Sequence, residues 1–132
     1  MIADIPIIQG GMGIGISLSS LASSVASQGG IGVIATAGLG TLREGREVNY
    51  FEASISILRE EIRKAKKLTK GILGVNIMVA LTNFADMVET SIEEGIDLIL
   101  SGAGLPLDLP NTSRKGSRPS SFPSYLPQGL PV

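Results

Sequence analysis

The 132-residue sequence has no Cys and no His. The lack of Cys excludes disulfides, thiolate-ligated zinc and iron–sulfur clusters. The lack of His removes the commonest general base near neutral pH and the commonest metal ligand. Aromatic residues make up only 4% of the chain, and the net charge is −1. So small a charge provides no long-range field to gather nucleic acid or an anionic membrane. No run of 18 or more apolar residues is present, so no segment reads as a membrane span. The first basic residue is Arg43, so a secretory leader with a positive start is not expected. These absences lead to the expectation of a cytoplasmic chain with no nucleic-acid and no membrane partner.

What is present is Ile, Leu, Val, Ala and Gly, with hydrophobic residues at 43%. That composition suits parallel strands buried on both faces under helices. The length fits one domain but not a complete eight-unit (β/α) barrel, which takes about 200–250 residues or more.

Charge and proline divide the chain near residue 110. Residues 1–110 carry all the acidic residues and a net −4, whereas 111–132 carry Arg114, Lys115 and Arg118 and no acid, a net +3. The same tail holds Pro119, Pro123, Pro127 and Pro131 with five serines between residues 113 and 124. Proline at every fourth position opposes both helix and central strand. The segment 111–132 is therefore expected to be a disordered Ser/Pro-rich tail.

The body alternates strand and helix. Residues 5–9 (IPIIQ) read as a strand. Residues 18–28 carry Leu18, Leu21, Ala22, Val25 and Ala26 at helical spacing, with Ser17 as a cap and Gly29–Gly30 as a stop. Residues 31–35 read as a second strand and 36–51 as a long loop. Residues 53–69 form the clearest helix: Ile55, Leu58, Ile62 and Ala65 make a stripe that Leu68 continues, Glu60 and Lys64 an i,i+4 pair, and Lys66, Lys67 and Lys70 sit near the negative dipole end before Gly71. Residues 73–79 read as a third strand. Thr82 or Asn83 caps a third helix closed by Gly95, and 96–100 is a fourth strand. Alternating strands and helices imply a parallel sheet with right-handed crossovers. The pattern alone fits either part of a barrel or a small doubly wound sheet.

In both folds ligands sit at the carboxyl ends of the strands. Those ends read Gln9–Gly15, Thr36–Gly40, Asn76–Met78 and Ser101–Gly104. Gly10, Gly11, Gly13 and Gly15 could bring backbone N–H groups close to a flat ligand, or could relieve crowding in a tight turn. Met12 offers a polarizable thioether to an aromatic ring system. Asn76, an amide inside an apolar strand, needs a partner, either a ligand or a neighbouring strand-end backbone. Ser101 and Gly102 taken alone read as a plain turn. Asp97 reads as a turn residue and Asp108 as a surface residue. The pairs Glu60–Glu61 and Glu93–Glu94 read as solvated helix faces. Neither a G-x-G-x-x-G fingerprint nor a Walker A loop occurs.

The segments PIIQGGMGIGISLSSLASSVASQGGIGVIATAG (6–38), LREEIRKAKKLTKGILGVNIMVALTNF (58–84) and SIEEGIDLILSGAGLPLDLP (91–110) carry QGGM, GGIGVI, GVNIM and SGAG in order. The chain thereby resembles the first half of the nitronate monooxygenase (2-nitropropane dioxygenase) family, with enoyl-acyl-carrier-protein reductase II as a close relative. The resemblance implies an α/β fold: a partial (β/α)8 TIM barrel of about four parallel strands with covering helices. It implies FMN as cofactor, and a small-molecule substrate, an alkyl nitronate, oxidised with O2. It places Gly11 and Met12 against the flavin, Asn76 in a hydrogen bond to it, and Ser101 and Gly102 in the wall of the site. The family's catalytic His lies in an Ala-Gly-Gly-His stretch with no counterpart here, so no catalytic residue is assigned. A partial barrel is expected to self-associate through open edges. Residues 118–132 can be back-translated so that a neighbouring frame reads KTKLVPIVSSARAAR, which looks like another βα unit. The expectation is that 1–110 is half of a barrel, that 111–132 is out of frame, and that the chain is inactive alone.

Overall fold

The chain is described by a computed structural model over residues 2–43 and 49–104 and the backbone of 124–127. In order, the elements are α1 (Ser19–Ser27), β1 (Ile31–Ala35), a 3₁₀ turn (Leu39–Leu42), α2 (Tyr50–Leu68), β2 (Ile72–Met78), α3 (Phe84–Glu93), β3 (Leu98–Gly102) and β4 (Ser124–Pro127). The strands form one sheet in the order β1-β2-β3-β4, and every pairing is parallel.

Strand alternation divides the apolar residues between two faces. Ile34, Val75, Ile77 and Ile99 meet Leu58, Ile62, Ala65, Met87 and Val88 in the layer under the helices. Ile31, Val33, Leu98 and Leu100 form a second buried cluster on the opposite face. This is the both-faces-covered arrangement expected of parallel strands.

α1 lies very close to the sheet because its inner face is small. Ala22 and Ala26 are buried, and a Cβ on Gly32 or Gly71 would overlap their carbonyl groups. The expected stripe is corrected here, since Leu21 is exposed. The expected cap is corrected as well. Leu18 occupies the N-cap with no side-chain bond, and Ser17 is engaged elsewhere. Glu61 of α2 performs the task instead: its Oε2 accepts from the Ser19 N–H at 2.9 Å. Gly29 ends the helix in a left-handed conformation (φ +89°) and donates to the Ala26 carbonyl.

α2 starts at Tyr50, three residues earlier than its apolar stripe implied, because the Asn49 side chain accepts from the Phe51 N–H. Its ion pairs also differ from the expected Glu60–Lys64. Lys64 joins the buried Glu61 at 2.7 Å, and Glu60 joins Arg43 at 2.9 Å. A buried carboxylate competes better for a cation than a solvated one. Glu94 is likewise no solvated residue: it lies 10% exposed against Arg59 and Arg63, while Glu93 takes the other Arg59 nitrogen. Lys66 donates to the carbonyls of Glu94 and Gly95, tying α2 to the end of α3.

Three further expectations change. Residues 5–9 make one parallel bridge, Ile8 to Ile31, and not a strand. Pro6 has no N–H, and the Ile7 N–H turns back to the Ile5 carbonyl at 2.8 Å, which interrupts the ladder. The strand expected at 96–100 runs Leu98–Gly102, since Asp97 stays outside it and accepts from the Leu73 N–H. Within the tail expected to be disordered, Ser124–Pro127 pairs with β3. Proline is tolerated there because β4 is an edge of the sheet. Asp108, the rest of the tail and part of the 36–51 loop lie outside the described residues.

Candidate functional site

Parallel pairing aligns the strand ends. Ala35 is level with Asn76, Asn76 with Leu100, Ile77 with Ser101, and Met78 with Gly102. The segment Gly10–Ile16 closes over this edge. A Cβ on Gly11 would meet the Asn76 Cβ at 2.7 Å, and one on Gly13 would meet the Ala37 carbonyl oxygen at 2.7 Å. Glycine is required at both positions for the main chain to approach so closely. The Ile14 N–H donates to the Ala37 carbonyl at 2.8 Å.

The backbone N–H groups of Gly10, Gly11 and Gly13 make no hydrogen bond among the described residues. Gly10 has open space where a side chain would be. Met12 is 60% exposed beside them. The result is a strip of main-chain donors, unpaired among the described residues, next to a polarizable thioether, which suits a flat ring with hydrogen-bond acceptors along its edge. Among the described residues, two non-glycine residues have positive φ: Ile14 at +52°, in the loop bonded to Ala37, and Ala103 at +56°, just after β3. A β-branched residue in the left-handed region is an outlier, and such strain collects at ligand clamps.

The structure brings Gly11, Met12 and Asn76 together. The Asn76 Nδ2 donates to the Gly11 carbonyl at 3.4 Å. Its carbonyl receives both the N–H (3.0 Å) and the hydroxyl (3.1 Å) of Thr36. Asn76 therefore has the strand-end backbone partner that its burial demanded. Ser101 and Gly102 belong to β3, not to a turn. Gly102 follows on the Asn76 face, with its carbonyl accepting from the Val79 N–H at 2.8 Å. Ser101 is buried and alternates with Leu100 onto the helical face beside Ile77, so its side chain is separated from the Asn76 group.

Sequence reasoning passed over Gln9, Ser17 and Thr36. Gln9 donates through Nε2 to the Ser17 hydroxyl at 3.0 Å and accepts through Oε1 from the Val33 N–H at 3.2 Å. The Ser17 hydroxyl also accepts from the Met12 N–H at 2.9 Å. The available signal was a pair of polar residues bracketing a glycine-rich loop. A separate groove between α2 and α3, lined by Phe51, Ile55, Arg59 and Glu89 among others, lies on the outer helical layer away from the strand ends. Among the described residues, no helix is long and apolar enough to cross a membrane.

No curated protein matches the chain. FabK from Thermotoga maritima is similar in structure, with a TM-score of 0.68, 26% identity and 95% of this chain covered. A point mutant of that FabK gives 0.66, 27% identity and 86% coverage. The chain spans about a third of the length of these proteins, 34% and 33%. The partial barrel is thus part of a larger architecture in its structural relatives. The profile of the nitronate monooxygenase family matches residues 1–100. With strand order, glycine-lined strand ends and that match in agreement, this chain belongs to the nitronate monooxygenase family, a family of flavin-dependent oxidoreductases.

Proposed function

We propose that this chain supplies the first part of an FMN site in an oxidoreductase of nitronate monooxygenase type, acting on alkyl nitronates with O2. The observation that carries this reading is the strip that follows the Ile8 bridge, where the N–H groups of Gly10, Gly11 and Gly13 have no partner among the described residues and lie beside an exposed Met12. Gly11 and Met12 would lie against the flavin ring. Asn76 would hold the loop that presents them and keep its amide oxygen for the ring edge. Gly102 would continue the same face, and Ser101 would support the wall from its helical side. FMN, when bound, would supply an acceptor for an electron or hydride equivalent and redox chemistry toward oxygen. The residues named here bind and orient, and none is assigned a proton transfer. The chain contains no His, so the family's catalytic His has no equivalent among its residues.

A second reading, enoyl reduction with NAD(P)H, is favoured by the likeness to FabK. A third, a non-catalytic half-barrel that self-associates, is favoured by the exposure of Ile2, Ile5, Ile7 and Ile8 along one edge.

Titration of the purified chain with FMN, followed by flavin fluorescence and absorbance, tests the proposal. The expected outcome is a saturable complex with a perturbed flavin spectrum and no turnover of nitronate by the chain alone. Turnover of an enoyl thioester with NAD(P)H would select the second reading. No binding at any concentration, with oligomers in size-exclusion chromatography, would select the third.

A further inference from the structure

β1 presents three N–H groups toward the N-terminal segment, at Ile31, Val33 and Ala35. The Ile31 N–H reaches the Ile7 carbonyl at 2.9 Å, and the Ala35 N–H reaches the Ser17 carbonyl at 3.0 Å. Between them the Val33 N–H has no backbone partner and takes the Gln9 side-chain oxygen at 3.2 Å. Gln9 thus fills the rung of the ladder that the main chain leaves empty on departing as the Gly10–Ile16 loop. Its other end donates to the Ser17 hydroxyl, joining the two residues that bracket the loop. Ser17 then holds the loop twice, through Met12 N–H to Oγ at 2.9 Å and Ser17 N–H to the Met12 carbonyl at 2.9 Å. Ser17 is 1% exposed, so water competes little for these bonds.

We propose that Gln9 and Ser17 are positioning residues: they clasp the Gly10–Ile16 loop so that its free N–H groups and Met12 face the ligand. The identity of that ligand rests on the flavin reading, whereas the clasp does not. The physical reason is entropic. A loop rich in glycine pays heavily to be fixed when a ligand arrives. A loop fixed beforehand has already met that cost in folding, and the ligand binds more tightly for it.

The test uses the full chain and two readouts, native-state amide exchange followed by NMR and FMN titration. In Ser17→Ala the Met12 amide should exchange about tenfold faster or more, as expected for the loss of one buried hydrogen bond. In Gln9→Leu the Val33 amide should do the same. Gln9→Glu keeps the oxygen for Val33 but loses the donor to Ser17, so Val33 should stay protected. The Val75 and Leu58 amides report the core and should not change. FMN affinity should fall about tenfold in Ser17→Ala and in Gln9→Leu. Unchanged protection of Met12 in Ser17→Ala, or of Val33 in Gln9→Leu, overturns the clasp. Lost protection with unchanged FMN affinity makes the pair merely structural and overturns the positioning role. If the parent chain does not bind FMN, the flavin reading falls, and the exchange data alone decide the clasp. Should Ser17→Ala not fold, the Gln9→Leu and Gln9→Glu pair carries the same test at Val33.

Discussion

Replacing Glu61 should show that α1 is capped from another helix. Its side chain is 8% exposed, accepts from the Ser19 N–H at 2.9 Å and pairs with Lys64 at 2.7 Å. Lys64 is largely solvated, so that pair contributes at most about 1 kcal/mol. The bond to Ser19 is charge-assisted and buried, and losing it costs about 1.5–3 kcal/mol because the N–H is left unsatisfied. Glu61→Ala should therefore destabilise the chain by about 2–3 kcal/mol, and Glu61→Gln, which retains an acceptor, by about 1 kcal/mol. Burial raises the Glu61 pKa, but the hydrogen bonds from Lys64 and Ser19 outweigh it and hold the carboxyl below the ordinary 4.5. A folded-state pKa below the unfolded one stabilises fully above the unfolded value, and that stability is lost as pH falls through the folded value. Urea unfolding followed by circular dichroism at pH 7 and at steps down to pH 3 measures both effects. The gap between parent and Glu61→Gln should close as pH falls below 4.5. A gap independent of pH, or a cost below about 0.5 kcal/mol for Glu61→Ala, would refute the remote cap.

Two further outcomes can be checked by the same unfolding assay. Gly32→Ala should cost about 3 kcal/mol or more, because the new methyl meets the Ala22 carbonyl, a backbone group that no rotamer change can move. Gly10→Ala, in open space, should stay within about 0.5 kcal/mol; equal costs at the two positions would sink the close-packing account of α1. Ile14→Gly should lose no stability and gain up to about 1 kcal/mol, since relief of the left-handed strain at φ +52° offsets the added chain entropy. A loss above about 1 kcal/mol would mean that the Ile14 side chain holds the loop.

Secondary structure was legible where one physical signal dominated. The α2 stripe of Ile55, Leu58, Ile62 and Ala65 is long enough for the 3.6-residue period to be unambiguous; Leu58, Ile62 and Ala65 are buried and Ile55 packs against the core, while Leu68, expected to continue the stripe, is exposed. The run 31–35 became a strand with the same bounds because it is apolar on both faces and preceded by Gly29–Gly30. Legibility failed where a local signal was overruled at long range. Ser17 has the chemistry of a helix cap, yet its hydroxyl is taken by Gln9 and Met12, which leaves the cap of α1 to a residue 42 positions away. Glu60 and Lys64 are correctly spaced for each other, but the buried Glu61 binds the lysine more strongly. Ile5–Gln9 has strand composition, and a single proline reduces it to a bridge.

The candidate site divides in the same way, and the division bears on what the loop is for. Gly11, Met12 and Asn76 could be named from residue type and strand position, because close approach, polarizability and buried amides each restrict the choice of side chain. Their mutual arrangement could not, since it depends on Gln9 completing β1 and on Thr36 holding the Asn76 carbonyl 40 residues away. A turn that merely relieved crowding would need neither device. The N–H groups of Gly10, Gly11 and Gly13 have no partner among the described residues, and Ile14 is held at φ +52°. The left-handed strain at Ile14 is a cost that the loop carries in the free chain. A ligand that accepts hydrogen bonds from that strip would offset it.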